Sequence, residues 1–189
     1  PDSVGRVFPG VEVRVVTDAG IDMPVGEIGE FWVRSGAPGS AAVMSGYFNR
    51  PDENASAFED GWFRTGDMGR IDTDGFLYVV DRKKDMVLSG GFNIYSREVE
   101  QVLATHPAIA EAAIVGAPDP MYGEAVAAFI EVKKGMMLDA DAVVEHCRTR
   151  LAGYKKPRYV FFVDALPRNA LGKVNKTELR QRAATAAKS

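Results

Sequence analysis

DRKKD, at residues 81–85, separates two parts of the chain that carry different sequence patterns. Before this charged segment, short stretches such as residues 27–34 alternate apolar and polar side chains and are separated by glycine-containing turns, which is typical of β-strands. After it, patterns with helical spacing alternate with apolar strand patterns. The change predicts an α+β protein with two domains, residues 1–81 and residues 82–189.

The two predicted domains differ in architecture. We expect residues 1–81 to form a β-rich subdomain, a distorted barrel or a sandwich, because the strand patterns there follow one another without a helical pattern. We expect residues 82–189 to form a small α+β domain, with Ser96 capping its first helix and a second helix beginning near Asp139. Its helices would flank a three-stranded sheet, with strands around residues 109–115, 125–132 and 159–163.

Composition excludes several classes of function. The net charge is −3, so no general polyanion-binding surface is indicated and we expect no nucleic-acid partner. Cys147 is the only cysteine, which excludes an internal disulfide and a cysteine-rich zinc site and fits the cytoplasm. His106 and His146 are the only histidines, so we expect no metal site and no Ser-His-Asp triad.

No membrane span or targeting segment is predicted. The longest apolar run, residues 125–130, is far shorter than the roughly 18–20 residues that cross a bilayer. The sequence opens at Pro1 without a methionine or a signal-peptide pattern. We therefore expect a piece of a longer cytoplasmic chain.

Two polar segments offer candidate binding groups. WFRTGD, residues 62–67, is either a simple turn or a way to hold the Asp67 carboxylate toward a vicinal diol such as a ribose. PRNALGKV, residues 167–174, places Lys173 in a polar loop, either as a solubilising lysine or as a cation that reaches toward a ligand.

A third segment, SGGFNI at residues 89–94, contains adjacent glycines. Gly90 and Gly91 supply either positive φ angles for a tight turn or room for the backbone to approach a ligand. The sequence contains no G-x-G-x-x-G or P-loop motif, so this segment is not a self-contained phosphate site. The cations of residues 81–85 lie where the two domains meet, so rotation of one domain against the other must pass through them.

The order and spacing of these segments resembles the adenylate-forming superfamily, which contains acyl-CoA synthetases, luciferases and peptide-synthetase adenylation domains. GYFNRP, residues 46–51, is similar to a further motif of this family. The resemblance covers essentially the whole chain. It implies that the phosphate loop and the acyl pocket lie in a large N-terminal domain upstream of Pro1, against which this chain would pack.

The resemblance also implies roles for individual residues. Asp67 and Arg82 would hold the ribose of ATP or of the acyl-adenylate. Lys173 would bridge the substrate carboxylate and the α-phosphate. Lys84 falls at the family's hinge, about which the small C-terminal domain swings between the two half-reactions.

A second set of residues would receive CoA. Gly90 and Gly91 would flank the channel for its pantetheine arm. Tyr122 and Tyr154 lie where related enzymes stack on the CoA adenine, and Lys156 lies near its phosphates.

The implied reaction is an AMP-forming acid–thiol ligation. A carboxylic acid and ATP give acyl-AMP and pyrophosphate, and CoA then takes the acyl group. Mg²⁺ would accompany ATP, with its ligands in the N-terminal domain. The fragment alone would be inactive, because the phosphate loop and acyl site would lie outside it.

Two other interpretations remain open. A peptide-synthetase adenylation domain would share the motifs, but it usually has aspartate at the hinge and is followed by a carrier segment. The SGGFNI segment is instead typical of CoA ligases. A non-catalytic interaction module could keep the fold, although the retained Asp67, Arg82 and Lys173 argue against it.

Overall fold

The computed structural model describes residues 3–36 and 43–186, and these form two compact units. The first unit ends at Lys84 and the second begins at Asp85. Both contain a sheet and at least one helix, so the predicted α+β class is confirmed. No helix in the described ranges is long and apolar enough to cross a membrane.

The first unit is built on a six-stranded antiparallel sheet with one short helix, α1. The order is β1-β6-β5-β3-β2, and β4 pairs with β5. Within the described residues this path is open, because its end strands β1 and β2 do not pair, so the predicted barrel is not found. The elements are β1 Gly5–Arg6, β2 Val11–Val16, β3 Gly29–Ser35, α1 Pro51–Ala57, β4 Phe58–Glu59, β5 Trp62–Ile71 and β6 Phe76–Arg82.

A tight turn sets the register between β5 and β6. The Asp72 carboxylate accepts hydrogen bonds from the backbone N–H groups of Asp74 and Phe76, at 3.0 and 2.9 Å. Gly75 follows with a φ of +81°, which favours glycine. The register then shifts between Met68 and Gly69, and beyond this shift Asp67 lies directly opposite Arg82 at the far end of the hairpin.

The second unit contains a five-stranded sheet, where three strands were predicted. The additional strands, β7 and β8, have three residues each, too few for an alternating pattern to stand out. Strand β10 pairs antiparallel with β9 and β7 and parallel with β11. The elements are β7 Val87–Ser89, β8 Phe92–Ile94, α2 Ser96–Ala104, β9 Ile109–Asp119, β10 Gly123–Val132, α3 Ala140–Arg148, β11 Tyr159–Val163 and α4 Lys176–Ala186.

Helices cover both faces of this sheet. On one face, α2 and α3 pack on Val126, Ala128 and Ile130 of β10. On the other face, α4 packs on Ala127 and Phe129. Because both faces of β10 are buried, its sequence is a continuous apolar run rather than an alternating one.

The helix starts agree with the sequence in one case and differ in the other. Asp139 caps α3 as predicted, since its carboxylate accepts a hydrogen bond from the Ala142 N–H at 2.8 Å. Ser96 is the first residue of α2 rather than its cap, which is Tyr95. The Ser96 hydroxyl instead accepts a hydrogen bond from Lys176 Nζ at 2.7 Å, a long-range contact that a local pattern does not reveal.

Two leucines in the second unit test this core. Leu103 is fully buried in α2, whereas Leu171 is 82% exposed. Leu103→Ala should lower the free energy of unfolding by about 2–5 kcal/mol, because it removes buried methyl groups and leaves a cavity. Leu171→Ala should change it by less than about 0.5 kcal/mol. Urea unfolding followed by circular dichroism measures both, and equal effects would contradict the described packing.

Candidate functional site

Asp67 and Arg82 form an ion pair across the β5–β6 hairpin. Arg82 Nε lies 2.7 Å from Asp67 Oδ1, and 31% of the Asp67 side chain is exposed. The two residues that were predicted to bind one ribose therefore lie side by side. The partly exposed carboxylate keeps surface from which it could accept hydrogen bonds from a diol.

The backbone that carries Asp67 is held by its neighbours. The Thr65 hydroxyl donates to the Phe31 carbonyl oxygen at 2.7 Å and accepts from the Asp67 N–H at 3.0 Å. Gly66 has a φ of +70°, and its N–H donates to Glu30 Oε1 at 3.1 Å. The Thr-Gly-Asp segment is thus not a simple turn: it lies inside β5, where the pairing with β3 is irregular, and its contacts hold the backbone of Asp67 in place.

Glu30 is a component of this site that sequence analysis missed. It is only 3% exposed, and its Oε2 lies 3.0 Å from Lys83 Nζ. Lys83 also contacts Asp18 at 2.7 Å. Burial lowers the pKa of Lys83, but the hydrogen bonds that its ammonium group donates to Asp18 and Glu30 outweigh this effect and raise it. A carboxylate inside a strand pattern is usually solvent-facing, so the sequence carries no signal for this burial.

Lys84 is exposed and lies in a single turn of 3₁₀-helix, Lys83–Asp85. The chain divides into its two units immediately after Lys84. Three predicted site residues, Asp67, Arg82 and Lys84, lie in one region of the first unit. A cleft of about 370 Å³ there is lined by Thr65, Gly66, Arg82, Lys83 and Lys84.

A larger pocket of about 540 Å³ lies in the second unit. Four of the five residues predicted to receive CoA line it, namely Gly90, Tyr122, Tyr154 and Lys156. The fifth, Gly91, is not a lining residue but follows Gly90 in the turn between β7 and β8.

The pocket wall is built from aromatic rings and close backbone contacts. The rings of Phe92 and Tyr154 are stacked, with centroids 4.6 Å apart. The Gly90 N–H donates to the Tyr122 carbonyl oxygen at 2.9 Å. A Cβ atom on Gly90 would lie 3.2 Å from a Tyr122 ring carbon, and the φ of Gly90 is +56°. Glycine is therefore required here both for the turn and for the close approach.

Arg158 and Asp119 also belong to this region and were not predicted. The Arg158 guanidinium lies 5.6 Å from the centre of the Tyr122 ring, and its Nε is 2.8 Å from Asp119 Oδ2. Asp119 Oδ1 accepts hydrogen bonds from the N–H groups of Met121 and Tyr122, both at 3.0 Å. Asp119 thereby holds Tyr122 from one oxygen and Arg158 from the other. In the sequence, Arg158 closely follows Lys155 and Lys156, and this group of cations is the signal that could have indicated Arg158.

Burial and hydrogen bonding act on the pKa of Asp119 in opposite directions. Burial raises it, but the backbone N–H groups of Tyr122 and Met121 and the nearby Arg158 outweigh burial. The net effect is a pKa below the ordinary value. The carboxylate therefore stays charged over the physiological pH range.

Lys173 lies in a compact loop of the second unit. The Asn169 side-chain oxygen accepts hydrogen bonds from the N–H groups of Leu171 and Lys173, both at 3.0 Å. Arg168 pairs with Glu111 and donates to the Gly172 carbonyl oxygen. The Lys173 side chain is exposed. A rigid loop thus presents an outward-facing ammonium group.

Lys176 secures the other end of this loop. Its Nζ lies 2.7 Å from Glu100 Oε1, which also accepts a hydrogen bond from the Ile114 N–H. The Lys176 side chain is only 18% exposed. The Lys173 loop is therefore tied to the sheet through Arg168 and to α2 through Lys176.

The described residues offer no group of three or more His, Cys, Asp and Glu side chains that could hold a metal ion. The donor set of the described ranges does not fit a Mg²⁺ site of their own. We assign no chemical step to a metal held by these residues.

Part of the chain matches a known protein family, and most of it is similar in sequence to a CoA ligase. Residues 98–173 match the family described as the AMP-binding enzyme C-terminal domain. The chain is 44% identical over 178 residues to a long-chain-fatty-acid–CoA ligase of Yersinia pestis, a match that covers 94% of this chain and 31% of that protein.

Solved structures of two related proteins have the same fold. ATP-bound MatB of Rhodopseudomonas palustris is 38% identical, with a TM-score of 0.88, over 99% of this chain and 37% of that one. The o-succinylbenzoate CoA synthetase MenE of Bacillus subtilis, in complex with an acyl-adenylate intermediate, is 40% identical, with a TM-score of 0.83, over 95% and 35%. The chain thus spans about a third of the length of the proteins that it matches.

The lowered pKa of Asp119 predicts a pH-dependent contribution to stability. A group whose folded pKa is depressed stabilises the fold above its unfolded pKa, about 3.9 for Asp, and loses that contribution as pH falls through the folded value. Asp119→Asn should therefore destabilise the chain at pH 7, and the difference from the parent should shrink toward pH 3. Urea unfolding across this range measures it, with the exposed Asp164→Asn as the control. A difference that is the same at both ends would contradict the assignment.

Proposed function

We propose that the chain is the C-terminal part of an ATP-dependent acyl-CoA synthetase, because residues 98–173 match the family described as the AMP-binding enzyme C-terminal domain. The observation that carries the proposal is the pairing of Asp67 with Arg82 beside a cleft that Lys83 and Lys84 also line. The carboxylate can accept hydrogen bonds from a ribose diol, and the cations favour a nearby phosphate. The substrates are ATP, CoA and a carboxylic acid.

In the first half-reaction, an oxygen of the substrate carboxylate attacks the α-phosphorus of ATP. A new O–P bond forms, the bond to the leaving pyrophosphate breaks, and acyl-AMP results. Lys173 on its rigid loop would supply positive charge where the two anionic groups approach each other. Asp67 and Arg82 would hold the ribose throughout. Mg²⁺ would accompany ATP, bound by residues outside this chain.

In the second half-reaction, the CoA thiol attacks the acyl carbon of acyl-AMP. The thioester bond forms, the bond from the acyl carbon to the AMP oxygen breaks, and the thiol proton is released. The pocket of the second unit would receive CoA, with its adenine near Tyr122 and Tyr154 and its phosphates near Lys156. Arg158 adds a second cation to that pocket.

The two units would carry different parts of this cycle. Residues 1–81 would belong to the large AMP-binding domain, and residues 82–189 would form a mobile domain that turns about Lys84. Both would pack against an N-terminal domain outside this chain. The chain alone would not release pyrophosphate, and the whole protein would work in the cytoplasm.

The CoA ligase proposal is better supported than its alternatives. Of the three relatives reported above, one is named as a CoA ligase and one as a CoA synthetase, and none is named as a peptide synthetase. A non-catalytic module would have no use for a buried network that fixes Asp67 and Lys83. We therefore favour the enzyme over the module.

Asp67 provides a test of nucleotide binding. In the longer protein that this proposal requires, Asp67→Ala should weaken ATP binding roughly tenfold to a hundredfold. Charge-assisted hydrogen bonds to a diol contribute about 1.5–3 kcal/mol. Calorimetric titration with ATP measures the change, and Asp74→Ala in the exposed β5–β6 turn is the matched control. Unchanged affinity in Asp67→Ala would mean that the Thr-Gly-Asp segment has only a structural role in β5.

Lys173 and Lys84 separate the two half-reactions. Lys173→Ala should slow adenylation on the order of 10²–10³-fold, the scale of one charge contact in a transition state. Thioester formation from pre-made acyl-adenylate should survive it. Lys84→Pro should spare adenylation and slow thioester formation. A fixed φ at the hinge hampers the rotation of the C-terminal domain between the two half-reactions.

Single-turnover kinetics of each half-reaction, with each variant of the longer protein, measures this separation. Lys134→Ala, an exposed lysine after β10, is the control and should leave both steps unchanged. If Lys173→Ala and Lys84→Pro slow both half-reactions equally, the assignment of Lys173 to adenylation and of Lys84 to domain rotation is wrong.

A further inference from the structure

The residues on either side of Lys84 are tied to different units. Lys83 precedes it and pairs with the buried Glu30 at 3.0 Å and with Asp18 at 2.7 Å, all within the first unit. Asp85 follows it and pairs with Arg180 of α4 at 2.6 Å, within the second unit. Lys84 is the one residue between these two attachments.

Both attachments are partly shielded from water, although the Asp18 side chain is 82% exposed. The side chain of Glu30 is 4% exposed and that of Lys83 29%, while the values for Asp85 and Arg180 are 16% and 33%. The Glu30–Lys83 pair resists breakage, because its separation would leave the buried Glu30 charge uncompensated, and the Asp85–Arg180 pair is partly buried. Exposed pairs such as Arg182–Glu178 on α4 lack this restraint.

We infer that Glu30 and Arg180 are positioning residues that confine relative motion of the two units to the backbone of Lys84. Glu30 fixes Lys83 on the first unit, and Arg180 fixes Asp85 on the second. Relative rotation of the two units then occurs through the φ and ψ angles of Lys84. This assignment rests on the proposed function only for the purpose of the motion, since the ion pairs themselves are independent of any substrate.

Glu30 has a second consequence for the same motion. Its other oxygen accepts the Gly66 N–H, in the segment that holds Asp67. One buried carboxylate therefore fixes both the Gly66 segment of β5, next to Asp67, and the first-unit end of the linker. Motion of the second unit can then occur without displacing Asp67.

The test is a distance distribution between the units, measured by double electron–electron resonance on the 189-residue chain. Spin labels are attached at Asp74→Cys and Lys134→Cys, which are exposed sites in the two units. Cys147 is fully buried, and burial raises the pKa of its thiol to about 11, so it stays unlabelled. No substrate is needed, so failure of the ligase proposal and failure of this inference are distinguishable.

Glu30→Gln and Arg180→Gln should each broaden the distribution beyond the scatter of replicates, because each adds a freely rotating residue to the linker. Arg182→Gln, the matched control on α4, should leave the width unchanged. Lys84→Pro alone should give a narrower distribution than the parent. When Lys84→Pro is combined with Arg180→Gln, the distribution should remain broader than that of the parent.

Two outcomes would overturn the inference. One is a width in Glu30→Gln and Arg180→Gln equal to that of Arg182→Gln. The other is a parent distribution that Lys84→Pro leaves unchanged. Circular dichroism establishes that each variant is folded, and the two positioning variants lie in different units, so loss of folding in one leaves the other to decide.

Discussion

The buried carboxylate of Glu30 is the constraint on which the first unit's site depends. A charge that is almost fully removed from water must keep its partners, because an unpaired buried ion costs about 3–5 kcal/mol. Its partners are the Gly66 N–H and the Lys83 ammonium group. The segment of β5 that presents Asp67 and the start of the linker are therefore fixed by the same side chain.

In the second unit, the corresponding constraint is the burial of β10 on both faces. Helices on each side leave this strand no freedom to slip, so the segments at its two ends are held in place. At the start of β10, Gly123 pairs with Ser89 of β7. The turn that carries Tyr122 lies next to this pair. The pocket is formed there, and Lys176, the first residue of α4, ties the loop of Lys173 to Glu100 of α2.

Sequence patterns predicted the parts of this structure that local periodicity determines. The long strands β9, β10 and β11 and the start of α3 follow from apolar runs and a capping aspartate. The short strands β7 and β8, the burial of Glu30 and the ion pair of Arg158 with Asp119 could not be predicted. Each depends on a pairing between residues far apart in sequence, and a local window contains no information about such a partner. The roles proposed for Lys173, Tyr122 and Tyr154 rest on motif order rather than on periodicity.

The central claim is that this chain serves a reaction that uses ATP to join a carboxylic acid to CoA. The most direct measurement is a product analysis by mass spectrometry, with the longer protein, ATP, CoA and a panel of carboxylic acids. The account predicts acyl-CoA, AMP and pyrophosphate in equal amounts for the accepted acid, and no acyl-CoA when CoA is withheld. Formation of ADP and phosphate, or turnover with every acid but no thioester, would contradict it.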